Sequence, residues 1–117
     1  MELVKPIVEL IRRMSCELPA DVAAALEAAV GGEKPGTPAH AAITTIVENV
    51  RLAREANRPM CQDTGTPVFY VSRPSAMSER EIRDAILTAT REATLLGYLR
   101  PNAVDPVTGE NPGDNTG

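Results

Sequence analysis

The sequence predicts a mainly helical α+β fold of four helices and one short strand. Three observations carry this expectation. Four separate stretches repeat apolar residues at spacings of three and four, which gathers them on one helical face. One short β-branched and aromatic run, Pro67 to Val71 (PVFYV), departs from that period. Prolines and glycines punctuate the gaps between these stretches.

The first helix carries the stripe Leu3, Ile7, Leu10, Ile11 and Met14. Proline lacks an amide hydrogen and fits only the first turn, so Pro6 sets the start near Val4 or Lys5. The second helix runs from Pro19 through Val22, Ala25, Leu26, Ala29 and Val30, with Gly31-Gly32 expected to close it as a glycine cap. The third starts at Thr37-Pro38, an N-cap followed by a first-turn proline. Its stripe is Ile43, Ile46, Val47, Val50 and Ala53, and it stops before Pro59, because the residue preceding a proline avoids the helical region. A loop, Arg58 to Thr66, leads into PVFYV, which reads as a buried strand that needs partner strands. Ser78 and Glu81 form a capping box that opens the fourth helix. Its stripe is Ile82, Ala85, Ile86, Ala89, Ala93 and Leu96, and Gly97 stops it. Residues 98–117 hold three prolines and three glycines, and this loop is expected to be poorly held in place.

Composition bounds the function. The chain has 117 residues, one domain's worth. Its net charge of −4 and three aromatic residues argue against a basic nucleic-acid footprint or a base-stacking platform. No apolar run approaches the ~20 residues of a membrane span. The first eighteen residues place acids inside their apolar stretch and lack a signal-peptide layout. Two cysteines make no disulfide framework, so a reducing, cytoplasmic compartment is expected.

The stretch Cys61-Gln62-Asp63-Thr64-Gly65-Thr66 concentrates a thiol, an amide, a carboxylate and two hydroxyls in six residues of one loop. On its residues alone it has two readings. It is either a site or a turn, since Asp-Thr-Gly is ordinary turn chemistry and a single cysteine is often just a small side chain. Cys16 reads as a small core residue and His40, the one histidine, as a first-turn residue of the third helix. Met60 reads as packing. Asn102, Asp105, Asn111, Asp114 and Asn115 form an oxygen-rich loop without EF-hand spacing, which favours turns over a calcium site.

The string MCQDTGTP resembles the cluster-binding signature of class I fumarases and of the related alpha subunit of L(+)-tartrate dehydratase, which are iron–sulfur hydro-lyases. Leu99 to Pro106 (LRPNAVDP), followed by Asn115-Thr116-Gly117, resembles a second family stretch, and Arg51, Leu52 and Glu55 leading into Arg58-Pro59 fit as well. The resemblance spans essentially the whole chain and implies part of a larger alpha-type domain. It implies a [4Fe–4S] cluster held by three cysteines with one iron open to substrate. Cys61 matches the first of these ligands, and soft thiolates suit such clusters. Gln62 and Asp63 match residues that contact the substrate. Arg100 resembles an arginine that holds a substrate carboxylate, for which its donor fork is suited. A plainer reading makes Arg100 a solvated or capping residue after Gly97. Thr64, Gly65 and Thr66 shape the loop.

The implied reaction is reversible dehydration of a 2-hydroxy dicarboxylic acid, malate/fumarate or tartrate/oxaloacetate. The open iron acts as Lewis acid, and Asp63 serves as proton donor or relay for the leaving hydroxyl. Two further cluster cysteines and the general base have no counterpart in these residues. Residues 1–117 are therefore expected to be the N-terminal, incomplete part of the catalytic domain. The implied partners are the rest of the alpha region, a beta domain or subunit, the dicarboxylate, and further copies in an oligomer. By itself the chain is expected to hold no stable cluster and to be inactive. The alternative is a stand-alone helical module that binds a protein or a small anion, with Cys61 inert.

Overall fold

The computed structural model describes residues 2–116. Among them the chain forms α1 (Val4–Cys16), α2 (Ala20–Gly32), α3 (Pro38–Ala56) and α4 (Glu79–Leu95). The core lies in the seam between α1 and α4. Ala85, Ala89 and Ala93 recur every four residues along α4 and are fully buried. Their small side chains let α1 approach closely, and Val4, Val8 and Ile11 fill the contact, joined by Leu99. Thr90 and Thr94 are buried on the same helix, and each hydroxyl donates to the carbonyl four residues earlier, at 2.8 Å. Those bonds meet the cost of burying two polar groups.

The buried face of α1 differs from the expected stripe. Leu10 and Met14 are more than half exposed, whereas Val4 and Val8 are buried. Both rows are apolar at helical spacing, so periodicity alone cannot choose between them. The alanine row of α4 chooses the second.

Helix α2 packs on α3 and on no other helix, and none of its residues is buried. The two form an arm beside the α1–α4 seam. The radius of gyration is 17.6 Å, against about 13 Å for a compact chain of this length. Gly31 and Gly32 do not act as a left-handed cap. They remain helical, and Gly36, at φ +82°, turns the chain toward α3.

The capping chemistry is local and forms as expected. The Thr37 hydroxyl accepts from the His40 amide at 3.3 Å. Ser78 Oγ accepts from the Glu81 amide at 3.1 Å, and the Glu81 carboxylate accepts from the Ser78 amide at 2.9 Å. Helix α4 ends on Gly97 at φ +80°, where Tyr98 N donates to Ala93 O and Gly97 N to Thr94 O. The same pair of bonds closes α3 around Asn57 at φ +50°, from Arg58 N to Ala53 O and from Asn57 N to Arg54 O.

These two ends meet. Arg58 Nη1 donates to Leu96 O at 3.1 Å, a cation on the negative end of α4. A Cβ on Gly97 would collide with the Arg58 guanidinium. Glycine thus suits position 97 for its left-handed backbone first, and for the room it leaves to the Arg58 head second.

Two expectations are corrected. Pro67–Val71 is not a strand, and no strand occurs among the described residues, so the fold is helical rather than α+β. The segment is extended, with Phe69 packed on the core and Tyr70 96% exposed. It has the alternation of a strand without a neighbour to take its backbone hydrogen bonds. Residues 98–116, in turn, are held in place. Arg91 Nε donates to Asp114 at 2.8 Å, Asn115 Nδ2 to Thr94 Oγ1 at 3.0 Å, and Asp105 N to Glu110 O at 2.8 Å. No helix among the described residues is long and apolar enough to cross a membrane.

Three outcomes follow for stability. Ile11 is 1% exposed, so Ile11→Ala should cost about 2–5 kcal/mol in denaturant titrations. Leu26→Ala, on the open arm, should cost clearly less. Gly97→Ala should cost about 1–3 kcal/mol from backbone strain alone, and more as Arg58 is displaced.

A further outcome concerns pH. The Arg91 hydrogen bond, then the Thr116 hydroxyl and amide, hold the Asp114 carboxyl well below the usual carboxylate range, at about 2. In the unfolded chain it titrates near about 3.9. This anchor therefore contributes fully above about pH 4 and is lost as pH falls through about 2. A carboxyl-carbon NMR titration reads it directly, and a midpoint near 4 would show that the Arg91 bond does not form in solution.

Candidate active site

The loop that bears the thiol is fixed before it reaches Cys61. Pro59 is buried. Met60 N donates to Ser15 O at the end of α1, at 3.1 Å. Met60 O accepts from Asn49 Nδ2 on α3 at 2.8 Å. Arg12 adds a bond to Asn57 Oδ1 at 2.9 Å. Helices α1 and α3 thereby hold residues 57–60, and Cys61 emerges from them as an exposed free thiol. Cys16, by contrast, is fully buried on α1, and burial pushes its thiol up from the ordinary value.

Beyond Cys61 the loop turns on Asp63. Its Oδ1 accepts from Gly65 N at 2.8 Å, and Gly65 takes φ +68°. This is an Asx-turn, so the turn reading of Asp-Thr-Gly is correct as geometry. The second carboxylate oxygen has no hydrogen-bond partner among the described residues. Asp63 lines a cleft of about 270 Å³ with Gly65, Thr66 and Pro67, facing Asn102, Ala103 and Asn115. The two motif segments, about forty residues apart in sequence, thus form opposite walls of one cleft. A weak bond also joins them, from Asn102 Nδ2 to Gln62 O at 3.4 Å.

Arg100 stands apart from its expected surroundings. It does not line the cleft, and its side chain makes no hydrogen bond or ion pair among the described residues. Its Nε is buried without a partner. It does not cap α4, since Arg58 performs that task. A buried donor left unpaired is costly, and such groups concentrate where a ligand completes them.

The oxygen-rich loop makes turns, as expected. Asp105 Oδ1 accepts from Val107 N and Thr108 N, Asn111 Oδ1 from Gly113 N, and Asp114 Oδ1 from Thr116 N. Asn115 is different, and the sequence, which placed it in the oxygen-rich loop and in the second motif string, gave it no separate task. Its side chain bonds to α4, to Arg100 O and to the amides of Asn102 and Ala103. Besides its place in that string, the sequence signal was an asparagine, a side chain that tolerates a left-handed backbone, in a glycine-flanked turn. Gly117 of the NTG string lies outside the described residues.

Among the described residues, no three His, Cys, Asp or Glu side chains come together as a metal site. Cys61 is the available soft donor. The donor set therefore fits one corner of an iron–sulfur cluster and no more. A larger groove of about 470 Å³ lies between α2 and α3, where Arg51 is already paired with Glu48 and Glu55. It carries none of the motif residues.

The family model for fumarate hydratase (Fumerase) matches residues 4–117. The chain is 42% identical over 116 residues to a protein of Geobacillus stearothermophilus named as a class I fumarate hydratase, covering 99% of the chain and 23% of that relative. It is 35% identical over 120 residues to a protein of Methanocaldococcus jannaschii named as an L(+)-tartrate dehydratase subunit alpha, covering 100% of the chain and 42% of the relative. The L(+)-tartrate dehydratase subunit alpha of Escherichia coli K12 is 39% identical over 74 residues, 62% of the chain and 24% of its own length. The chain thus spans a quarter to two-fifths of these relatives. Matched along nearly its whole length, with both of its motif segments inside the match, it belongs to the fumarate hydratase (Fumerase) family.

Proposed function

We propose that residues 1–117 are the N-terminal part of the catalytic domain of a cytoplasmic iron–sulfur hydro-lyase. The complete enzyme reversibly dehydrates a 2-hydroxy dicarboxylic acid of the malate/fumarate or tartrate/oxaloacetate type. Its partners are the rest of the alpha region and a beta domain or subunit, in an oligomer. The observation that carries this reading is the shared cleft, with Asp63, Gly65, Thr66 and Pro67, just past Cys61 and Gln62, on one wall and Asn102, Ala103 and Asn115 on the other.

Each residue has a distinct task. Cys61, exposed on a pinned loop, is one of three thiolate ligands of a [4Fe–4S] cluster. When bound, the cluster supplies Lewis-acid chemistry that a thiol and a carboxylate cannot. Gln62 and Asp63 contact the substrate beside it. Asp63 keeps one oxygen in its Asx-turn, which fixes the carboxylate, and leaves the other to carry a proton to the departing hydroxyl. Arg100, with an unpaired buried Nε, takes a substrate carboxylate through its planar donor fork. An anionic ligand there satisfies a donor that is otherwise orphaned.

The test uses the complete enzyme, assembled without oxygen and assayed on malate and tartrate. Asp63→Asn should lower kcat by about 10²–10⁴-fold while the cluster absorbance stays unchanged. Full activity in that variant removes Asp63 from proton transfer. A wild-type enzyme that dehydrates neither acid overturns the reading as a whole.

A further inference from the structure

We propose that Asn115 is a positioning residue for dicarboxylate binding, holding the Arg100–Ala103 segment in a fixed relation to α4 and to the Gln62–Asp63 loop. This inference rests on the roles given above to Arg100 and Asp63.

A side-chain amide has two N–H donors and an oxygen with two lone pairs. In Asn115 all four are used. Nδ2 donates to Arg100 O at 2.7 Å and to Thr94 Oγ1 at 3.0 Å. Oδ1 accepts from Asn102 N at 2.9 Å and from Ala103 N at 3.0 Å. One side chain therefore gathers three backbone groups of residues 100–103 and ties them to a buried threonine of α4. Asn102, oriented by this bond, reaches Gln62 O with its own amide at 3.4 Å. The result is a chain of contacts from α4 through Asn115 and Asn102 to the cysteine-bearing loop.

Saturation decides the kind of role. Asn115 lines the cleft, yet it has no donor or acceptor left for a ligand. It orients others instead. Arg100 O is the carbonyl next to the Arg100 Cα, so fixing that peptide fixes where the guanidinium stem leaves the chain. The backbone at Asn115 supports the same view. Its φ of +61° is left-handed, a conformation that costs energy outside glycine and is retained where surroundings impose it. The neighbouring Asp114 is anchored independently by Arg91, so the residue is presented to its partners from a fixed base.

Two variants separate side chain from backbone. Asn115→Gly keeps the left-handed φ and removes the amide. Asn115→Asp keeps the shape and replaces the donor with an acceptor facing Arg100 O. In the complete enzyme both should raise KM for malate or tartrate by about ten- to a hundredfold, with kcat per assembled cluster within about threefold of wild type. A merely structural role would lower the assembled fraction and leave KM unchanged. Unchanged KM in an active, cluster-loaded variant overturns the proposal while leaving the hydro-lyase reading intact. A wild-type enzyme inactive on both acids overturns the reading and this inference with it. Should neither Asn115 variant accumulate, Asn102→Ala is measured in their place. A raised KM there supports the proposal, and an unchanged KM overturns it.

Discussion

Two helices end at one place, and a single arginine joins them. Arg58 is the residue just past the left-handed cap of α3, and its guanidinium closes the carboxyl end of α4 over Gly97. Helix C-termini carry partial negative charge and orphan carbonyls, so a cation there satisfies both. The consequence reaches past the helices. The Cys61 loop leaves α3 at this junction, and the Arg100–Asn115 segment leaves α4 at the same junction. The clasp sets the two exits side by side, and the bonds of Met60 to Ser15 and Asn49 and of Asn115 to Arg100, Asn102 and Ala103 then fix the segments across the cleft.

The α1–α4 seam is the platform beneath. Its small-residue row permits a short interhelical distance, and the larger side chains come from α1 and from Leu99. Burial is concentrated there, and the α2–α3 arm has very little of it. That arm still serves the site, because α3 carries Asn49, whose side chain holds Met60 O. Stiffness is therefore uneven. The junction that presents the motif loops is tied by several helices, while the far side of the arm is open.

The site itself divides into groups that are satisfied and groups that are not. Asn115 has every hydrogen-bonding position filled, and Asp63 commits one oxygen to its own turn. These groups set geometry. Arg100 Nε and the Cys61 thiol lack partners within the described residues. Those are the groups that the proposed substrate and cluster would complete. Within the fumarate hydratase family match, this division gives each motif residue a physical task beyond its place in a string.

The parts of this protein legible in its sequence are those decided within about four residues. The Ser78–Glu81 box, the Thr37 cap and the Gly97 stop are short-range hydrogen-bond chemistry, and they form where the letters put them. The Asp63 and Asp105 turns are of the same kind. The motif strings also carried the family. What only the tertiary structure decided needed a distant partner. The face of α1 awaited the alanine row of α4, and PVFYV awaited a neighbouring strand that the described residues do not supply. The order of residues 98–116 awaited Arg91, Thr94 and Asn115, and the capping of α4 fell to Arg58 rather than Arg100. In each case the local pattern allowed two outcomes, and the presence or absence of a long-range contact, which no window of sequence displays, chose between them.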